Sequence, residues 1–210
     1  LAKICGLSTP ESVEAALRCG AAYLGFNFFD ASPRCIAPGA AAALARPAWG
    51  RAAVVAVTVE PDDAFLERLM EVLAPDFIQL HGRESPARAR DVAARTGAGV
   101  IKALAISDAS DLDAASAYGE AGASLMFDAK PPKASPLPGG NGAAFDWSML
   151  AGRRFDRPWF LAGGLDPWNV GEALGASGAP IADVSSGVER GAGLKDPALI
   201  EAFLEAVRRA

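Results

Sequence analysis

The chain has 210 residues, 51% of them hydrophobic and 21% charged, which fits one globular domain and excludes a disordered chain. Twenty basic against 25 acidic residues leave a formal charge of -5, the wrong sign for a general nucleic-acid binder, whose phosphate contacts require a basic surface. No apolar run approaches the roughly 20 residues that span a bilayer, and the start lacks the apolar core of a signal peptide. The expectation is a soluble, cytoplasmic protein with neither nucleic acid nor membrane as a partner. Three cysteines without a CxxC pair argue against a disulfide framework and a zinc site.

In chain order, short apolar runs fall at Ala2–Cys5, Tyr23–Phe28, Val54–Thr58, Phe77–Leu80, Val100–Ala105, Ser124–Asp128, Trp159–Leu161 and Ile181–Val184. Each is short enough and apolar enough to predict a strand buried on both faces. Between them, helical spacing marks Pro10–Arg18 after Ser8-Thr9, then Asp62–Leu73, then Ser85–Arg95 and finally Pro197–Arg208. In the second of these, Asp62 is placed to cap, and Phe65, Leu66, Leu69 and Leu73 share one face. Eight strands alternating with helices predict parallel strands joined by right-handed crossovers, in a closed barrel or an open doubly wound sheet. The count of eight favours the closed α/β arrangement, a single (β/α)8 TIM barrel over residues 1–210. Lys130–Gly142, KPPKASPLPGGNG, holds four prolines and three glycines and predicts a long loop after the sixth strand. Such a loop is either a functional cover or a slack surface insertion.

A barrel of this kind builds its active site at the C-terminal ends of its strands. The first strand ends in Cys5, the fourth in Gln79-Leu80-His81, the sixth in Asp128, and the second leads to Ser32-Pro33-Arg34. The seventh leads to Gly163-Gly164 and the eighth to Asp183-Val184-Ser185-Ser186-Gly187. A glycine pair and a Ser-Ser-Gly at the last two strand ends suit a phosphate group. Glycine admits close backbone approach, and amide groups at the start of a short helix near Ser186 hold an anion without a basic side chain. Either motif alone is also ordinary turn chemistry.

Buried cysteines are most often small hydrophobes, and Cys19 and Cys35 are read that way. Cys5 differs in standing at a strand end with Asp128 across the barrel, where a thiolate and a carboxylic acid facing one substrate form a base and acid pair. The planar fork of Arg34 suits a carboxylate, or else is a solvated loop arginine. His81 is the sole histidine; it either lines the pocket or satisfies a backbone group, and no GxSxG elbow accompanies it.

These motifs coincide with a known family. KICGL at Lys3–Leu7, GFNFFDASPRCI at Gly25–Ile36, QLHGRE at Gln79–Glu84, FDAK at Phe127–Lys130, GGNGAAFDW at Gly139–Trp147, LAGGLDPWNV at Leu161–Val170 and DVSSGVERGAGLKD at Asp183–Asp196 resemble the phosphoribosylanthranilate isomerases. The resemblance runs in order over nearly the whole chain. It implies a (β/α)8 barrel of tryptophan biosynthesis that performs an Amadori rearrangement, with Cys5 as general base and Asp128 as general acid. It further implies Arg34 on the anthranilate carboxylate, and Gly163, Gly164, Ser185, Ser186 and Gly187 around the phosphate. Asp183 and Gln79 either line the pocket or brace neighbouring loops. The substrate nitrogen serves as electron sink, so no cofactor and no metal is expected. The expected partner is a small phosphorylated substrate, and the expected state is a monomer or simple homodimer. The segment Pro131–Pro138 is longer than in the shortest family versions, and the loop carrying it is expected to fold over the substrate.

Two other readings are weighed. A different phosphoribosyl-sugar enzyme on the same barrel would share the phosphate segment. The histidine-pathway aminoaldose isomerase, however, carries an aspartate where this chain has Cys5, and indole-glycerol-phosphate synthase relies on strand-end lysines not found here. A non-catalytic barrel that only binds a phosphorylated ligand would not need Cys5 and Asp128.

Overall fold

The computed structural model describes residues 1–130, 139, 142 and 144–210. Eight parallel strands close into a barrel in sequence order. They are β1 (Ala2–Cys5), β2 (Tyr23–Asn27), β3 (Ala53–Thr58), β4 (Phe77–Leu80), β5 (Gly99–Ile106), β6 (Ser124–Ala129), β7 (Phe160–Leu161) and β8 (Ile181–Val184). The helices are α1 (Pro10–Arg18), α2 (Pro38–Ala45), α3 (Asp63–Val72), α4 (Pro86–Thr96), α5 (Ala115–Glu120), α6 (Val170–Ser177) and α7 (Pro197–Arg209). Beyond the barrel, β9 (Glu189–Gly191) and β10 (Leu194–Lys195) form a small antiparallel hairpin between β8 and α7. Among the described residues, no helix is long and apolar enough to cross a membrane.

Alternation along the strands makes two cores. In β3, Val54 and Ala56 join the outer cluster beneath the helices, while Val55 and Val57 join Cys5, Ile101, Met126 and Phe160 inside the barrel. Tyr23, Phe77 and Phe160 open their strands, and their rings pack edge to face, with Tyr23 5.1 Å from Phe160 and 5.9 Å from Phe77. This aromatic layer fills the N-terminal end of the barrel, so the accessible interior lies at the other end.

The helices start where capping chemistry is present. Thr9 accepts from the Ser12 amide in a capping box and Pro10 follows it, Asp62 accepts from Phe65 N, Ser85 from Arg88 N and Asp196 from Ala198 N. Each such cap contributes about 0.5–2 kcal/mol. In α3 the predicted face is the buried one: Leu66, Leu69 and Leu73 are buried, and Phe65 packs half-buried beside them. Strand and helix limits differ from the expected ones by one or two residues at most. α2, α5, α6 and the β9–β10 hairpin were not expected. The α2 sequence PGAAAALA has no polar face to set against an apolar one, so it carries no helical period. Of the loop expected over Lys130–Gly142, all but Lys130, Gly139 and Gly142 lies outside the described residues.

Candidate active site

At the C-terminal end of the barrel one cavity is lined by Cys5, Asn27, Arg34, His81, Asp128, Asp183, Ser185 and Ser186, with Gly163 and Gly164 along one wall. The expected base, acid and carboxylate-binding residue and four of the expected phosphate-binding residues therefore share one space, although they come from five different strand ends. Two expected members do not line it. Gln79 lies inside β4, wholly buried, because its side chain points into the barrel one layer below His81. A Cβ on Gly187 would lie 1.9 Å from Leu165 O, so this glycine is required by close packing of the loops after β7 and β8 against each other.

Cys5 ends β1 and is buried. Burial pushes its thiol pKa up, and Asp183 adds to this, while the nearby Lys3 and Lys195 ammonium groups pull it down; the net shift is upward. Lys3, two residues earlier on the same inward face, is wholly buried and donates to Asp183 Oδ1 at 2.7 Å. Burial alone would lower the Lys3 pKa, but Asp183 and Cys5 outweigh it and the net shift is upward. Gly25 on the neighbouring strand makes room for this cation. A Cβ there would come within 3.1 Å of both Cys5 Cα and Lys3 Nζ.

Asp128 faces the same cavity from β6. Its Oδ1 accepts from Ala129 N at 2.8 Å, and its Oδ2 lies 3.2 Å from His81 Nε2. Behind the imidazole, the Gln79 amide sits 2.9 Å from His81 Nδ1. With Nε2 of Gln79 directed at that nitrogen, Gln79 Oε1 has no partner among the described residues. The amide nitrogen can only donate, so His81 Nδ1 accepts from Gln79 and Nε2–H is turned towards Asp128 Oδ2.

On the opposite side Arg34 donates from Nε to Glu189 Oε1 at 2.7 Å and from Nη2 to Glu189 Oε2 at 2.9 Å. Gly6, with φ +76, lies beneath it; a Cβ at this position would meet Arg34 Cδ at 2.6 Å. Lys195 donates to Glu189 Oε1 at 2.6 Å and to Ser185 O at 2.8 Å. Burial raises the Glu189 pKa, but Arg34 and Lys195 more than offset it and hold the carboxyl below its ordinary value. Gly163 and Gly164 take φ +88 and +65, a conformation that favours glycine. Opposite them Ser185 leads into a 3-10 turn over Ser186–Val188, and Gly163, Gly164, Ser185 and Ser186 all line the cavity.

Sequence reasoning passed over Lys3, Glu189, Lys195 and Asn27. A lysine within the otherwise apolar AKIC was the available signal for Lys3. Glu189 and Lys195 stood within a quoted motif, but nothing local tied them to Arg34. The chain does carry strand lysines, Lys3 in β1 and Lys102 in β5. Both are buried and engaged, Lys3 by Asp183 and Lys102 by Glu84 Oε2 at 2.9 Å.

The family model for N-(5'phosphoribosyl)anthranilate (PRA) isomerase matches residues 2–206. The N-(5'-phosphoribosyl)anthranilate isomerase of Caulobacter vibrioides is 63% identical over 210 residues, covering 100% of this chain and 96% of the relative. That of Parvibaculum lavamentivorans is 50% identical over 210 residues, covering 99% and 98%. Among solved structures, phosphoribosyl anthranilate isomerase from Thermotoga maritima superimposes with a TM-score of 0.89 at 31% identity, covering 100% of this chain and 98% of that one. A phosphoribosyl anthranilate isomerase in complex with reduced 1-(o-carboxyphenylamino)-1-deoxyribulose 5-phosphate gives 0.86 at 30% identity, with the same coverage. With the family matched along nearly its whole length and the strand-end residues gathered in one cavity, this chain belongs to the N-(5'-phosphoribosyl)anthranilate isomerase family.

Proposed function

We propose that this chain isomerises N-(5-phosphoribosyl)anthranilate to 1-(2-carboxyphenylamino)-1-deoxyribulose 5-phosphate in tryptophan biosynthesis, with Cys5 as general base and Asp128 as general acid. The observation that carries this assignment is the placement of a thiol and a carboxyl group on facing walls of one cavity. The Gly163-Gly164 and Ser185-Ser186 loops and Arg34 line the same cavity.

The chemistry follows from that placement. The phosphate lies between the Gly163-Gly164 and Ser185-Ser186 loops, and the anthranilate carboxylate meets Arg34. Asp128 delivers its proton to the ribose ring oxygen as the C1′–O bond breaks, and the anilino nitrogen forms an iminium to C1′. The iminium acidifies the C2′ proton, which the Cys5 thiolate removes. The electron pair left at C2′ neutralises the iminium nitrogen and gives an enolamine, which tautomerises to the ketone. The nitrogen takes up and returns the electron pair, so the route needs no added cofactor. A positioned acid or base contributes roughly 10²–10⁴-fold each, and Lys3 beside Cys5 favours the thiolate that the route requires. His81 and Asp183 complete the substrate-facing wall, and Gln79 braces His81.

The test is the decay of fluorescence of freshly generated phosphoribosylanthranilate with the wild type, Cys5→Ala and Asp128→Ala, without added cofactor or metal. Fast decay with the wild type and loss in both variants is expected. Turnover that survives Cys5→Ala would move the base elsewhere. We further read the protein as cytoplasmic and as a monomer or simple homodimer. The Thermotoga maritima relative is described as dimeric, with monomers generated from it; sedimentation equilibrium decides the state of this chain.

A further inference from the structure

Glu189 joins the two anion-binding ends of the cavity. It opens β9 directly after the 186–188 turn, and its carboxylate takes four donors. They are Arg34 Nε and Lys195 Nζ on Oε1, and Arg34 Nη2 and Gly193 N on Oε2. The Arg34, Glu189 and Lys195 side chains are all less than a tenth exposed. The hairpin bearing Glu189 also presses on the loop that carries the arginine, since a Cβ at Gly193 would lie 2.5 Å from Pro33 O.

A guanidinium has three nitrogens, and this arrangement uses one edge of it. Arg34 lines the cavity, and its Nη1 makes no hydrogen bond to a described residue. A bidentate pair fixes the plane of the fork as well as its position, so the remaining edge is presented in one orientation before any ligand arrives. The charge balance fits as well. Two cations share one carboxylate, which leaves one positive charge for an incoming anion.

We infer that Glu189 is the positioning residue that holds Arg34 for the carboxylate of the substrate. This rests on the reading of Arg34 given under the proposed function. Glu189 touches no reacting atom; it acts through the arginine, while Lys195 keeps its own bonds to Ser185 O and Oγ and so maintains the phosphate end.

The experiment compares Glu189→Gln, Arg34→Ala and the double variant in steady-state turnover and in inhibition by two ligands. One is the reduced product analogue that bears the ring carboxylate; the other is the same compound without it. For Glu189→Gln the expected result is a KM raised about tenfold with kcat changed less than threefold. The carboxylated analogue should weaken by a similar factor and the decarboxylated one by less than twofold. In the Arg34→Ala background, Glu189→Gln should change KM by less than twofold, because the residue through which it acts is gone. Equal weakening of both analogues, or fully additive effects in the cycle, would overturn the inference. An Arg34→Ala variant with wild-type KM would instead overturn the reading of Arg34 itself. Should Glu189→Gln fail to fold, Glu189→Asp retains the charge but withdraws it by one methylene. The same selective loss against the carboxylated analogue is then expected, and its absence counts against the inference.

Discussion

Lys3 and Asp183 face each other across the seam where β1 meets β8, paired in register and bonded at 2.7 Å with the lysine wholly buried. The pair closes the barrel and at the same time sets a cation beside Cys5. Replacing one partner leaves the other buried and uncompensated. Lys3→Met is expected to cost about 3–5 kcal/mol of stability, read from urea unfolding, and to slow the reaction as well. A variant as stable as the wild type would show that water reaches Asp183.

The Cys5 thiol supplies a pH signature. Its folded pKa lies above the ordinary value of 9.0, so the thiolate fraction keeps growing with pH through the neutral and alkaline range. The rate of Cys5 alkylation by iodoacetamide, measured with Cys19 and Cys35 replaced by serine, should therefore rise until beyond pH 9. In stability the sign is opposite. A raised folded pKa leaves this group's contribution whole below the unfolded thiol pKa, and the contribution is lost as pH climbs from there through the folded value. An alkylation rate that levels off near pH 7 would contradict the net upward shift.

Gly163 supports Asp128 as well as lining the cavity. A Cβ there would lie 2.5 Å from Ala129 N, and that amide is the donor to Asp128 Oδ1. Gly163→Ala combines a strained φ, at about 1–2 kcal/mol, with displacement of Asp128. A misplacement approaching 1 Å at the reacting centre can cost about 10²-fold, so kcat is expected to fall 10- to 100-fold by that estimate. Unchanged kcat with weaker phosphate-analogue binding would assign Gly163 to the phosphate alone.

A second buried pair fixes the loop that bears His81. Lys102 Nζ donates to Glu84 Oε2 at 2.9 Å and to Gly82 O at 2.7 Å, and Glu84 Oε1 accepts from Glu60 N at 2.8 Å. Lys102→Met strands the Glu84 charge and is expected to destabilise the fold by about 3–5 kcal/mol. Adding Glu84→Gln should recover part of that loss, because the second change removes the orphaned charge. Denaturant titration of the three variants measures this directly, and simple additivity would argue against coupling.

The barrel is legible in the sequence because it rests on local rules. Eight apolar runs at even intervals announce strands buried on both faces, and Thr9, Asp62, Ser85 and Asp196 mark helix starts by side-chain capping. Where those rules are silent, reading fails: α2 is too uniformly apolar to show a helical period, and residues 189–195 show no strand alternation. Cys5 and Asp128 stand out because they lie at the C-terminal ends of strands, and Arg34, Gly163-Gly164 and Ser185-Ser186 because they lie in the loops that follow strands.

What the sequence by itself determined was therefore which residues arrive at the rim of the barrel, through strand count, caps and glycine-rich strand ends. Tertiary structure alone decided what they touch there. Lys3 and Asp183 are 180 residues apart in the chain, and Arg34 and Glu189 155, and no local pattern encodes such pairs. Closure of the barrel sets the first strand beside the last. Only then do burial and charge select Asp183 as the partner of Lys3, Glu189 as the partner of Arg34, and Gln79 as a brace beneath His81 rather than a wall of the cavity.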